Sequence, residues 1–336
     1  MSRIAIIGAG AWGTALAIVA GRGGQHQVHL WAREKEVCES IQKNRTNALF
    51  LPGCTVPQSV TVSNDLQQAL SGAEMVISVV PSHHCRRVFE HMAQWLLPEM
   101  LFVSATKGIE NDTLLRMSEV MEEIVVRFCR FKPRTAALSG PTFALEVAKG
   151  NPTALTAAAT DLTLAAVVQK EMSDPGFRIY ASDDLIGVEL GGSLKNVIAI
   201  AAGVCYGLGL GHNSAAALIT RGLAEITRLA VACGARPQTL AGLAGMGDLV
   251  LTCTGGLSRN RSVGAALGEG QRLQEIIAGM HGMVAEGVLT TKAALGLARK
   301  YRVEMPITEQ MHAILHGGLA PRDAIRELMS RPGKVE

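Results

Sequence analysis

Short apolar runs rich in β-branched residues recur through the first half of the chain, at 4–7, 28–31, 75–80, 101–105 and 135–138. Stretches with helical spacing, such as 13–20 and 35–43, lie between them. Strands without polar alternation, separated by helices, predict a parallel sheet covered on both faces, the doubly wound α/β arrangement of a Rossmann-type domain. Runs at 154–159 and 178–180 extend that sheet. Beyond Asp184 the strand pattern stops, and Ala/Leu/Gly-rich stretches with helical spacing take over at 185–202, 214–233 and 290–300. At 336 residues the chain exceeds what one compact domain usually holds. The reading is therefore an α/β domain over 1–189 and a mostly α-helical domain over 190–336. Only the tail at 331–336 reads as frayed.

Composition sharpens this picture. Hydrophobic residues make up 48% of the chain and aromatics only 4%, so Ala, Val, Leu, Ile and Met must build the core, with 36 glycines allowing close backbone approach. Charged residues, at 18%, are too few for a disordered chain. The formal net charge is +3 and the basic residues are scattered, which leaves no electrostatic footprint for nucleic acid. A phosphorylated small molecule needs only two or three placed cations. The seven cysteines are odd in number and contain no C-x-x-C pair, which points to a reducing, cytoplasmic compartment. The first strand starts at residue 4 and leaves no room for a cleavable leader. The longest apolar stretch, 197–210, is interrupted by Gly203, Gly207 and Gly209 and reads as too short to span a membrane.

The clearest motif follows the first strand. Gly8-Ala9-Gly10-Ala11-Trp12-Gly13 has the G-x-G-x-x-G spacing of a dinucleotide loop. Gly8 permits the turn, Gly10 lets backbone approach a pyrophosphate, and Gly13 lets the next helix pack on the strand. The alternative is a glycine-rich turn without a ligand. At the end of the second strand a basic residue accommodates a ribose 2′-phosphate, and an acidic one binds a 2′-hydroxyl. Arg33 stands there with Glu34 beside it, so NADP is favoured and NAD tolerated.

Three later segments carry residue types suited to a phosphorylated ketone. Lys107 ends the fourth strand, where ligands of open α/β sheets bind, and Ser139-Gly140-Pro141-Thr142 ends the fifth. Lys195 sits in the apolar stretch Gly191-Gly192-Ser193-Leu194-Lys195-Asn196, where an ammonium needs a partner or a lowered pKa unless it snorkels to solvent. Asp248 follows Gly245-Met246-Gly247 and precedes an apolar run, so it faces a cleft rather than bulk water. Ser258, Arg259 and Asn260 offer donors that suit a phosphate, although such residues in a turn are equally at home on a surface. His83, His84 and Cys85 are adjacent, and their side chains diverge too far to chelate one ion, so no metal is expected.

These pieces, in this order, resemble the bacterial-type glycerol-3-phosphate dehydrogenases over nearly the whole chain. The resemblance rests on 8–15, Val79-Val80-Pro81-Ser82-His83, 105–108, 139–143, 194–196, 217–223, 247–254, 258–261 and Glu304-Met305-Pro306-Ile307. It implies reversible, NAD(P)H-dependent reduction of dihydroxyacetone phosphate to sn-glycerol 3-phosphate, which feeds phospholipid synthesis. By the same resemblance Lys195 is the general acid/base. Lys107, Gly140, Thr142, Lys195, Asp248, Ser258, Arg259 and Asn260 then meet the substrate. Ala11, Trp12, Arg33, Lys107, Ala144, Arg259, Val284 and Glu286 join Gly8, Gly10 and Gly13 at the cofactor. One stretch departs from the pattern: Val284-Ala285-Glu286-Gly287 stands where the family usually has Val-Glu-Gly, which weakens Val284 more than Glu286. A homodimer is expected, with no nucleic-acid partner and no integral-membrane segment. A β-hydroxyacid dehydrogenase shares the two-domain layout, and a non-catalytic nucleotide sensor shares the glycine loop. Both stay open on the residues alone.

Overall fold

The computed structural model describes residues 2–280 and 283–333, so 334–336 of the tail read as frayed lie outside the described residues. The chain divides into two compact units: Met1–Lys107 with Leu115–Glu189, and Gly108–Leu114 with Leu190–Glu336.

The first unit is built on strands β1 (Arg3–Ile7), β2 (Gln27–Trp31), β3 (Thr46–Asn47), β4 (Leu51–Thr55), β5 (Val60–Ser63), β6 (Met75–Ser78), β7 (Leu101–Ser104), β8 (Arg134–Ser139), β9 (Thr153–Ala158) and β10 (Phe177–Ser182). Eight of them form one sheet in the order β10-β9-β8-β7-β6-β1-β2-β5, and β3 pairs with β4 separately. Its helices are α1 (Ala11–Gly21), α2 (Lys35–Asn44), α3 (Leu66–Leu70), α4 (Ser82–Met92), α5 (Met117–Ile124), α6 (Ala144–Ala148) and α7 (Leu162–Met172). Successive strand residues point to opposite faces. Ile4, Ile6, Ile77 and Val103 therefore pack with α1, α2 and α7, while Ala5, Ile7, Val76 and Phe102 pack with α3, α4 and α5. Burial on both faces explains why these strands read as unbroken apolar runs.

Two features differ from the sequence reading. The short edge strand β5 and the β3–β4 pair were not foreseen. The sheet is also not wholly parallel: β9 runs antiparallel to β8, and β10 runs parallel to β9. Only the short α6 lies between β8 and β9, and a return strand needs no long crossover.

The second unit holds most of α8 (Leu185–Gly207), then α9 (His212–Ala232), α10 (Pro237–Ala241), α11 (Asp248–Thr254), α12 (Arg259–Gly268), α13 (Leu273–Ala278), α14 (Glu286–Tyr301), α15 (Pro306–Gly317) and α16 (Pro321–Met329). Gly203 does not interrupt α8, which runs through it and stops at Gly207. Among the described residues α8 is the one helix long and apolar enough to cross a membrane, yet 94% of its most apolar window is buried inside the protein. It is a core helix. A side chain at Gly203 would run into the carbonyl of Arg261, and one at Gly207 into that of Ala265. In return, Gly264 and Gly268 on α12 lie against the carbonyls of Ile200 and Val204. Small residues four apart on both helices let the two backbones touch, as in close-packed helix pairs generally.

Candidate active site

The loop between β1 and α1 is shaped by what its glycines meet. Gly8 has φ 114°, and a Cβ there would come within 2.9 Å of the Val79 carbonyl oxygen. A Cβ at Gly13 would collide with the carbonyl of Gly8. Gly10 is different, because its φ of −65° suits any residue and no described protein atom lies within 4 Å of an added Cβ. The space above Gly10 is open where α1 presents N–H groups with no intrahelical acceptor. Beside it, the indole N–H of Trp12 is buried with no acceptor among the described residues. Open backbone, a helix N-terminus and an orphaned donor fit a dinucleotide pyrophosphate.

Asn47, which the sequence reading missed, holds this loop from below. It is fully buried, and its Nδ2 donates to the Ala9 carbonyl and to Thr14 Oγ1, each at 2.8 Å. At the end of β2, Arg33 is exposed and donates to Glu34 Oε1 at 2.6 and 2.9 Å. The two residues weighed for cofactor choice are thus paired with each other.

Farther along the same edge of the sheet, Lys107 follows β7 and reaches the turn after β8. Its Nζ donates to the Gly140 carbonyl at 2.8 Å and to Thr142 Oγ1 at 3.1 Å. Gly140 has φ 149° and lies against the Leu155 backbone, so no other residue fits there. The sequence reading named these three residues separately, and the fold joins them. Ala144 opens α6 two residues beyond Thr142.

In the second unit, Lys195 and Gly191 stand one turn apart on the same face of α8. Gly191 receives the carbonyl of Ala244, where an added Cβ would come within 2.6 Å. One turn further, Lys195 receives Asp248. The turn at Leu243–Gly247 is π-helical, a distortion that often marks functional sites, and it delivers Asp248 to the start of α11. Lys195 Nζ donates to Asp248 Oδ1 and to Thr252 Oγ1, both at 2.6 Å. Lys195 is 5% exposed and Asp248 1%, so Lys195 does not snorkel out and Asp248 turns to the lysine instead of a cleft. Thr252 in turn donates to the Asp248 carbonyl at 2.6 Å. The sequence reading did not assign Thr252 a role. The i, i+4 spacing from Asp248 was the available signal, since it puts both on one face of α11. Next to Thr252, burial pushes the Cys253 thiol up to about 12, with Asp248 adding to the rise and Lys195 opposing it. That thiol is inert near neutral pH.

The start of α12 completes this region. Ser258 Oγ accepts from the Arg261 N–H at 3.2 Å and caps the helix. Asn260 braces three helices: its Nδ2 donates to Asn196 Oδ1 at 2.9 Å, and its Oδ1 accepts from the Gly287 N–H at 3.0 Å. Asn196 directly follows Lys195, so this brace fixes the α8 turn that carries the lysine. Arg259 stays exposed between these two anchored neighbours. Although its side chain reaches solvent, partial desolvation by the surrounding protein holds its pKa below the ordinary value, and Glu286, the first residue of α14, opposes that fall. Val284 lies half-buried just before α14. Among the described residues no group of three His, Cys, Asp or Glu side chains is placed to hold a metal ion.

Comparison with known proteins gives two family matches. Residues 3–165 match the NAD-dependent glycerol-3-phosphate dehydrogenase N-terminus, and residues 184–326 match the C-terminus of the same family. The glycerol-3-phosphate dehydrogenase (NAD(P)+) of Koribacter versatilis is 68% identical over 336 residues, covering 100% of this chain and 99% of the relative. The enzyme of the same name from Acidobacterium capsulatum is 55% identical, with 100% of each chain covered. Among solved structures, the glycerol-3-phosphate dehydrogenase of Coxiella burnetii superposes with a TM-score of 0.93 at 41% identity, covering 98% of this chain and 99% of that one.

Proposed function

This chain belongs to the NAD-dependent glycerol-3-phosphate dehydrogenase family, and on that basis we propose that it reduces dihydroxyacetone phosphate to sn-glycerol 3-phosphate, reversibly, with NADPH preferred over NADH. The product supplies glycerophospholipid synthesis. In this reading residues 1–189 bind the dinucleotide, and 190–336 bind the substrate and carry the catalytic lysine. The enzyme works in the cytoplasm as a homodimer, without a membrane-spanning segment.

The observation that carries the chemistry is the buried Lys195–Asp248–Thr252 cluster. A bound nicotinamide supplies the hydride that reaches the carbonyl carbon. The protein's task is the proton. As hydride arrives, the substrate oxygen gains charge, and Lys195 Nζ donates a proton to it. In the oxidative direction the same amine accepts that proton. An ammonium has three N–H donors. Asp248 and Thr252 take two of those of Lys195 and so aim the third. Asp248 is the counter-charge that an ammonium buried at this position requires.

Arg259, Asn260 and Ser258 are assigned to the substrate phosphate, and Arg259 supplies the planar fork. Lys107, Gly140 and Thr142 are assigned to the substrate as well, with Lys107 and Arg259 shared with the cofactor. Gly8, Gly10, Ala11, Trp12 and Gly13 would hold the pyrophosphate side of the dinucleotide. Arg33 would meet the ribose end, and Ala144, Val284 and Glu286 would line the remainder. Replacing Lys195 with Ala tests the assignment. Turnover should fall by about 10²–10⁴-fold, the usual worth of a placed acid/base, with cofactor affinity retained. Near-normal turnover would remove Lys195 from the mechanism.

A further inference from the structure

We propose that His84 and Arg87 of α4 act together with Arg33 to recognise the 2′-phosphate of NADP, which makes His84 a specificity-determining residue for the cofactor. The inference rests on the NADP use proposed above and names residues that the dinucleotide motif does not include.

The topology brings them to one place. β2 and β6 flank β1 on either side, and all three are parallel. The segments that follow them therefore rise at the same edge of the sheet, beside the glycine loop and about 10 Å apart, two strand spacings. The Gly8 N–H donates to the Trp31 carbonyl at 3.1 Å, and the Val79 N–H donates to the Ile7 carbonyl at 2.8 Å, which ties the three exits together. Arg33 stands on the β2 side. On the β6 side the chain passes Pro81 into α4, whose residues Cys85, Phe89 and Met92 are buried against the sheet. His83, His84 and Arg87 lie on the more exposed part of that helix, within one turn of each other.

The ionisable side chains that the start of α4 adds on its exposed side, His83, His84 and Arg87, are all basic. The rings of His83 and His84 lie 3.9 Å apart between centroids. Burial is the first cause that holds the His84 pKa below its ordinary value, followed by the nearby His83, Arg33 and Arg87. Arg33 is thus close enough to act on His84 from a different element. The neighbouring carboxylates are largely committed: Glu34 pairs with Arg33, and Glu123 of α5 pairs with Arg86. Glu90 lies one turn beyond Arg87 on the far side from the loop. Arg33 has Glu34 as its counter-ion, whereas a protonated His84 is opposed by His83, Arg33 and Arg87 until an anion sits among them. A phosphate monoester dianion at the end of β2 is that anion, and it would draw a proton onto His84 as it binds.

NAD has a hydroxyl at that position and gives His84 nothing to pair with. Calorimetry of the purified chain with NADP+ and with NAD+ at pH 7, in buffers of different ionisation enthalpy, reads both affinity and proton uptake. Wild type should take up protons with NADP+ and not with NAD+. His84→Gln should abolish the uptake and weaken NADP+ by about tenfold while leaving NAD+ within about twofold, as loss of one charge-assisted bond implies. Arg87→Gln should weaken NADP+ by a similar factor and keep the proton uptake. Circular dichroism of each variant checks that it is folded. Unchanged uptake and an unchanged NADP+/NAD+ affinity ratio in His84→Gln would overturn the proposal, as would failure of wild type to bind either nucleotide. A wild-type chain that shows this coupling but does not reduce dihydroxyacetone phosphate would sink the proposed reaction and leave the recognition site standing.

Discussion

Gly10 of the first unit and the glycines along α8 and α12 of the second meet opposite surroundings. In the loop after β1, Gly10 has a backbone that any residue could adopt and no described protein atom where a side chain would go. In the second unit, Gly191, Gly203, Gly207 and Gly264 each lie directly against a neighbouring carbonyl. The first pattern leaves room for something that is not protein. The second removes side chains so that α8 can meet α12 and the turn before α11 at backbone distance. The contrast separates two duties that sequence alone writes with the same letter. Open space at a helix N-terminus, as at Gly10, leaves room for a ligand, whereas a glycine pressed on a carbonyl, Gly8 and Gly13 included, serves packing. In the second unit the packing glycines are what place Lys195 against Asp248.

The comparison predicts opposite outcomes for two substitutions. Gly203→Val should destabilise the protein by about 3 kcal/mol or more, because the obstruction is backbone rather than a movable side chain. Gly10→Ala should leave thermal stability unchanged or slightly raised and weaken dinucleotide binding by about tenfold or more, since the added methyl enters the pyrophosphate space. Thermal melts with and without NADPH read both effects. An unaltered melt in Gly203→Val, or a large stability loss in Gly10→Ala, would collapse the distinction.

The tight interior of the second unit also buries a carboxylate. Glu225 on α9 accepts from the Ile307 and Thr308 N–H groups at 2.7 and 3.3 Å, at the start of α15. Burial raises its pKa from 4.5 to about 7, although those hydrogen bonds oppose the rise. A raised carboxylate pKa contributes stability that is fully present below about pH 4.5 and lost as pH climbs through about 7. The shift corresponds to about 3 kcal/mol over that window. Glu225→Gln should flatten this part of the pH–stability curve, and denaturant titrations at several pH values would show it. A slope equal to wild type would assign the titration to other groups.

Smaller effects belong to the site itself. Arg259→Ala should raise KM for dihydroxyacetone phosphate by about 30-fold, the worth of one charge-assisted phosphate contact or two, with a lesser change in kcat. A kcat loss without a KM change would move Arg259 out of the phosphate site. Thr252→Val keeps the shape of the side chain and removes one of the two acceptors that aim Lys195. It should lower kcat by about tenfold and leave KM nearly constant, the pattern of lost positioning rather than lost binding.

Much of this was legible in the sequence where residue type alone states a requirement. The run Gly8–Gly13 announced a turn and a close approach, and Lys195 stood out because an ammonium in an apolar helix must be partnered. β1, β2, β6, β7 and β8 were readable as unbroken apolar runs because both faces are covered. β5 was not, since an edge strand of four residues with one exposed face looks like any short loop. The direction of β9 is set by the connection from β8 and not by side-chain pattern. Asn47 and Thr252 were also missed, because Asn is common in turns and a helical Thr is ordinary until its neighbours are known. The pairing of Arg33 with Glu34 likewise shows only in three dimensions.

The most direct test of the account is consumption of NADPH and of NADH by the purified chain with dihydroxyacetone phosphate, beside 6-phosphogluconate and a 3-hydroxy acid run in the oxidative direction. The account predicts turnover with dihydroxyacetone phosphate alone, faster with NADPH than with NADH. No turnover with dihydroxyacetone phosphate while nucleotide still binds, or preferred turnover of a hydroxy acid, would contradict it.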